Sequence, residues 1–228
     1  MKSLPIKEFS SKENKNNYNL WLKSINKKKI DIKKIKIISK TFRKKEDFSI
    51  CSIDCTIEVK GKKTIKRFVQ IEGDSVVIIP VIKIRNEKDL RTILVQQIRV
   101  PVGNKTLEFP SGRRSGHTFK MQAINEVQEE LGISIKKNNL KILNNKKIFM
   151  IPSSTFGRVQ FFYFKINLKK KDINKIDKKK QGISEHGEFI KTRIFKFKDI
   201  LKLNNANILL GLFLLKQQFI TKKNEKLF

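Results

Sequence analysis

Apolar residues fall in short blocks along most of this chain, and the blocks differ in period. Asp74–Ile82, DSVVIIPVI, is an almost unbroken apolar run of strand length and reads as a strand over 75–84. The same reasoning predicts strands over 91–99, 106–109, 141–150, 157–167 and 189–196. Helical spacing predicts helices over 119–131 and 205–220, with Thr118 as an N-cap and Gly132 as the stop of the first. Upstream, residues 18–72 read as short strands with a hairpin turn near Lys60-Gly61-Lys62. A Lys-rich excursion over 168–187 has weak helical character around Ile173 and Ile176. Residues 1–17 are polar and read as a poorly ordered basic tail, and 221–228 as a C-terminal tail. The chain thus divides into a tail, a β-rich region over 18–72, and a mixed α/β (α+β) core over 73–220.

One stretch carries chemistry. In Leu107–Ile133, LEFPSGRRSGHTFKMQAINEVQEELGI, a loop rich in Gly and Pro runs into a helix bearing Glu126, Glu129 and Glu130. At about 100° per residue, position 130 lies about 40° round from 126, and 129 about 60° the other way. Ile124, Val127 and Leu131 occupy a separate arc that can face a core. Carboxylates at these spacings repel by tenths of a kcal/mol per pair, roughly. A hard divalent cation such as Mg²⁺ reverses that balance. An exposed acidic helix face is the other reading of the string taken alone.

This loop and helix resemble the Nudix box, G-x5-E-x7-R-E-U-x-E-E-x-G-U with U aliphatic. Asn125–Ile133 fits its second half except at the Arg, where Asn125 stands. In the first half His117 replaces the first Glu, and Gly112 lies one residue too close. The resemblance extends to the ADP-ribose and ADP-sugar pyrophosphatase branch. Asp74–Ile82 is similar to its central strand, TILVQQIRVPVG to its V-x-Q-x-R-x-P-x-G turn, and LEFPSG to its E-x-P-A-G. PSSTFGRVQFFYF and Gly187-Glu188-Phe189 look like its later segments.

The resemblance implies a Nudix αβα sandwich with a small β-rich N-terminal subdomain that builds a homodimer. It implies cleavage of the diphosphate of an ADP-ribose-like nucleoside diphosphate derivative with Mg²⁺, or Mn²⁺ as an alternative ion. By this carry-over Glu126, Glu130 and the Ser111 carbonyl hold the metal. Glu129 is a further ligand or catalytic carboxylate, and Glu188 the catalytic base. Arg99 and Glu108 belong to the substrate side, and Phe68 is a partial substitute for an aromatic adenosine contact. Two box positions are altered. Asn125 cannot supply the charge or fork of the Arg it replaces, and His117 reads most simply as an exposed loop residue.

Composition adds one feature. Lys and Arg number 52 against 21 Asp and Glu, a net charge of +31. Such an excess favours polyanions, RNA or the ribosome among them, although Lys with Asn and Ile is also what coding bias produces. The chain therefore admits a second class of function, a catalytically weak or inactive Nudix fold that binds RNA or a ribonucleoprotein. A basic patch away from the cleft would favour it. Cys51 and Cys55 are the two cysteines. On a strand they lie about 13 Å apart, too far for a disulfide, which points to reduced thiols in the cytoplasm or another reducing compartment. The N-terminus lacks the apolar region of a signal peptide, and the longest apolar run, Ile208–Leu215, is too short to span a bilayer.

Overall fold

A computed structural model describes residues 12–43, 46–59, 64–114, 117–182 and 189–220, with the backbone alone for 12–16, 39–43, 46–51 and 220. The first half contains helix α1 (Lys12–Ser24) and strands β1 (Ile30–Arg43), β2 (Glu46–Val59), β3 (Thr64–Ile71), β4 (Ser75–Ile84), β5 (Arg91–Arg99), β6 (Asn104–Glu108) and β7 (Ser111–Arg113). Then follow α2 (Phe119–Leu131), the two-residue strands β8 (Lys141–Ile142), β9 (Ile148–Phe149) and β10 (Thr155–Phe156), and the long β11 (Arg158–Leu168). The chain continues with α3 (Lys170–Ile176), β12 (Lys180–Gln181), β13 (Ile190–Lys196), α4 (Phe197–Ile200) and α5 (Ala206–Ile220). Two compact units result. One comprises Met1–Ser75, Arg113–Gly116 and Ile148–Val159; the other Val76–Gly112, His117–Lys147 and Gln160–Phe228.

In the first unit the strand order is β1-β2-β3-β10, antiparallel except for the parallel β3–β10 pair. The strands β1 and β2 have 14 residues each, longer than the short strands expected. Register slips at Ile32/Lys34 and Ile37/Ser39 reset the side-chain alternation, so no single period-two pattern runs the length of β1. Helix α1 takes in residues 12–17, which the sequence had placed in the tail. Its first turns are Lys, Glu and Asn, poor advertisement for a helix, but Tyr18 and Trp21 are buried against Ile53, Cys55, Ile71 and Phe156. Tertiary packing of that face outweighs weak local propensity. Cys55 is a free thiol, and burial, then Asp54, push its pKa up. The turn expected at Lys60-Gly61-Lys62 lies outside the described residues, although Glu58 and Thr64 on either side pair across β2 and β3.

The second unit is a sheet with a helix on each face, as the αβα reading implies. Strands β13, β5, β4 and β11 are consecutive neighbours. Residues 76–82 of β4 are buried throughout, as a central strand covered on both sides requires. Val76, Ile78, Ile82 and Ile84 pack with Phe162 and Phe164 against Ala123, Val127 and Leu131 of α2. The alternate residues meet α5: Tyr163 and Phe219 rings lie 6.1 Å apart, and Ile79 and Phe109 press on Gly211. Pro80 occupies the gap between two pairings of β4, Ile78 with Pro110 and Ile82 with Arg91, where a residue without an N–H is tolerated.

The strand expected over 141–150 is realised only at Lys141–Ile142 and Ile148–Phe149. Asn144 explains the break. Its side chain donates to the Lys146 carbonyl and accepts from the Phe161 N–H, so a side-chain turn replaces the ladder. Among the described residues no helix is long and apolar enough to cross a membrane.

Candidate functional site

Helix α2 begins where Thr118 accepts a hydrogen bond from the Met121 N–H and ends where Gly132 adopts φ 65, so both sequence-read caps are present. Between them Gln122, Glu126 and Glu130 form a buried stripe at intervals of four, beside the Ala123, Val127 and Leu131 face that packs on the sheet. Both carboxylates of the stripe meet the Pro110–Gly112 loop. The Ser111 N–H donates to Glu130 Oε2 at 2.9 Å. The Glu126 carboxylate lies over Gly112, so close that a Cβ there would fall 1.7 Å from Oε1. Gln122 Nε2 donates to Glu126 Oε1 at 2.8 Å and fixes the carboxylate's orientation. Glycine at 112 is therefore a steric requirement of the Glu126 position.

The third carboxylate behaves differently. Glu129 is exposed, and among the described residues no three His, Cys, Asp or Glu side chains gather as a metal cluster. The expected three-carboxylate arc is too wide at its 129 edge, where the helix turns to solvent. Asn125, adjacent on the helix, is half-buried, and His117 is exposed before the N-cap. Glu188 lies outside the described residues. The described segment before it reaches the helix end, where the Gly182 N–H donates to the Glu129 carbonyl at 3.3 Å.

Arg99 and Glu108 come together across the β5–β6 hairpin in a two-pronged fork, Nε to Oε1 at 2.9 Å and an Nη to Oε2 at 2.7 Å. Burial pushes the Glu108 carboxyl up, but the fork and the Thr106 hydroxyl outweigh it and hold the carboxyl below its ordinary range. Phe68 is 45% exposed on β3, opposite Asp54, and belongs to the first unit. Sequence reasoning missed Gln122, whose signal was an amide four residues before Glu126 on one helix face. It also missed the buried Asp74, which Arg158 grips with two bonds of 2.9 and 2.8 Å in the first unit. That partner lies 84 residues away, beyond any local pattern.

The stripe fits the divalent cation that the resemblance implies. It supplies two buried carboxylates, hard oxygen donors, against a loop whose backbone approaches them because residue 112 has no side chain. No family model matches the chain. Nudix hydrolase 14, chloroplastic, of Arabidopsis thaliana is 29% identical over 141 residues, covering 58% of this chain and 46% of that protein. The chain thus spans about half the length of that relative. The crystal structure of an ADP compounds hydrolase superposes with a TM-score of 0.59 at 18% identity, over 88% of this chain and 99% of its own. That likeness shows the fold. The box-like segment, the sequence similarity and the shared architecture together make this chain a Nudix-fold protein that resembles the Nudix hydrolases.

Proposed function

We propose that this protein is a Mg²⁺-dependent hydrolase that cleaves the diphosphate of an ADP-ribose-like nucleoside diphosphate derivative. The observation that carries the proposal is the convergence of buried Glu126 and Glu130 on consecutive residues of the Pro110–Gly112 loop. The bound cation would neutralise the non-bridging oxygens of the diphosphate and lower the pKa of water. Glu126, Glu130 and the Ser111 carbonyl are its proposed ligands. Gln122 orients the first carboxylate and the Ser111 N–H the second. Glu129, exposed on the same helix, and Glu188 are the proposed carboxylates for handling the proton of the attacking water. Arg99, held flat by Glu108, presents its guanidinium on the substrate side, and Phe68 is proposed as an adenosine contact.

Asn125 in place of the box Arg predicts a slow enzyme, because a charge-assisted fork that orients a carboxylate is replaced by a neutral amide. A twofold dimer through the strands of the first unit belongs to the same reading, and so does a reducing compartment for the free Cys55 thiol. The direct test is incubation with a panel of nucleoside diphosphate compounds, with Mg²⁺ and with chelator, reading nucleoside monophosphate by chromatography. Release from ADP-ribose-like members with Mg²⁺ supports the proposal. No release from any member, including by an Asn125→Arg variant, overturns it.

A further inference from the structure

A second concavity lies on the opposite face of the sheet from α2. Residues 81 and 83 of β4 with 85 just past its end, and 165 and 167 of β11 with 169 just past its end, lie on one side, the side that α5 covers. Past Phe219 at the end of α5 that side opens into a cavity of about 970 Å³. Lys83, Arg85, Lys88, Lys165 and Lys169 line it, with Val81 and Leu90 as apolar neighbours. Glu87 is the single carboxylate in the lining, and Arg91 takes it with two bonds of 3.2 and 2.7 Å. Among the described residues, Lys83, Arg85, Lys88 and Lys169 have no ion-pair partner. Lys165 Nζ sits 4.7 Å from the Phe219 ring centroid, which holds it at the cavity edge. Val81, the cavity residue nearest along β4 to Ile78 (which bonds the Pro110 carbonyl), is three residues or roughly 10 Å from it and faces the other side of the sheet from α2. The cavity is separate from the carboxylate site in position and in sign of charge.

Five cations gathered in one concavity repel each other, and apolar neighbours sharpen that field. We propose that this groove binds the phosphate backbone of single-stranded RNA. Lys83 and Arg85 are two residues apart, about 6.6 Å, while Lys165 and Lys169 on the neighbouring strand are four apart, about 13 Å, with the polar Asn167 between them. That is a two-row track for successive phosphates. Its apolar lining is aliphatic, and among the described lining residues none is aromatic, so the contact is proposed to read backbone rather than sequence. The basic tail 221–228, with Lys222, Lys223 and Lys226 against Glu225, is no electrostatic complement for it. The proposal stands independently of the hydrolase reading.

The test is fluorescence anisotropy of the full chain with a labelled single-stranded oligouridylate across a salt series. The wild type is compared with a groove variant (Lys83→Gln, Arg85→Gln, Lys165→Gln, Lys169→Gln). A charge-matched control carries Lys34→Gln, Lys36→Gln, Lys66→Gln and Arg67→Gln on the first unit. All eight positions are exposed, and melting curves confirm that each protein is folded. The groove variant should lose about tenfold or more in affinity at 50 mM salt, with a salt slope shallower by about 2–3 as its phosphate contacts disappear. The control should lose less than a third of that. Equal losses in the two variants, an unchanged groove variant, or a duplex RNA that competes as well as the single strand would each overturn the proposal.

Discussion

Replacing Gly112 with Ala separates the site from the fold that carries it. A methyl at this position would lie 1.7 Å from Glu126 Oε1, 2.1 Å from its Cδ and 2.6 Å from Oε2, where ordinary contact begins at 3.4 Å. The carboxylate must therefore withdraw by roughly 1.7 Å, the difference between contact and overlap. The three nearest atoms all belong to the end of one side chain, which can swing away without moving the backbone. The stability cost then falls at the low end of overpacking, about 1 kcal/mol, or about 2–4 °C in melting temperature for a chain of this size. Catalysis should suffer far more, because a reactive group displaced by more than about 1 Å costs on the order of a hundredfold. Gly103→Ala is the control. Gly103 has φ +66 and no atom within 4 Å of the added methyl, so Ala there strains the backbone without touching the carboxylates. Thermal melts and kcat/KM at saturating Mg²⁺, measured for both variants, give the comparison. Gly112→Ala should lose activity and keep its melting point nearly, and Gly103→Ala the reverse. Wild-type kcat/KM in Gly112→Ala would refute the placement of Glu126 at the reacting centre.

Three further outcomes follow from named contacts. Asn125→Arg should raise kcat/KM by about tenfold to a hundredfold, the usual worth of a partner that orients a ligand; an unchanged rate in stopped assays would show that the position has no such role. Arg158→Ala leaves Asp74, whose side chain is 3% exposed, as an unpaired buried carboxylate. It should cost about 3 kcal/mol, lowering the melting temperature by about 6–12 °C, and a fall under about 2 °C would contradict it. Glu108 titrates below its ordinary range in the folded state, so its contribution is present above the unfolded-state pKa and is lost as pH falls through the folded one. The stability gap between wild type and Glu108→Gln in urea should therefore shrink as pH drops through the acid range, and a gap that stays constant with pH would count against the Arg99 fork.

What could be read from the sequence follows from where its constraints are local. Strand β4 was legible because burial on both faces writes an unbroken apolar run, and α2 because Thr118, a helical face and Gly132 agree on one answer. Helix α1 was not, since its first turns carry no helical signal and Tyr18 and Trp21 are fixed only by packing on distant strands. Residues 141–150 misled because Asn144 forms a turn whose partners, Lys146 and Phe161, are invisible to alternation. In the site, spacing placed Glu126 and Glu130 on one face but could not show that Glu129 reaches solvent. The contact of Glu126 with Gly112 depends on how the loop returns to the helix, which spacing along a chain does not contain. The charge was countable from the start, yet its gathering at Lys83, Arg85 and Lys169 depends on β4 and β11 being neighbours.

The central claim is that Glu126 and Glu130 hold the ion on which hydrolysis depends. Its most direct measurement is Mn²⁺ binding, followed by electron paramagnetic resonance, paired with Mg²⁺-dependent turnover of ADP-ribose in wild type, Glu126→Gln and Glu130→Gln. Wild type should bind one or more ions, both variants should bind them more weakly, and turnover should fall by about a hundredfold or more in each, since a lost ligand costs at least what a lost supporting partner does. Unchanged Mn²⁺ affinity in both variants, or turnover that persists in either at the wild-type rate, would contradict it.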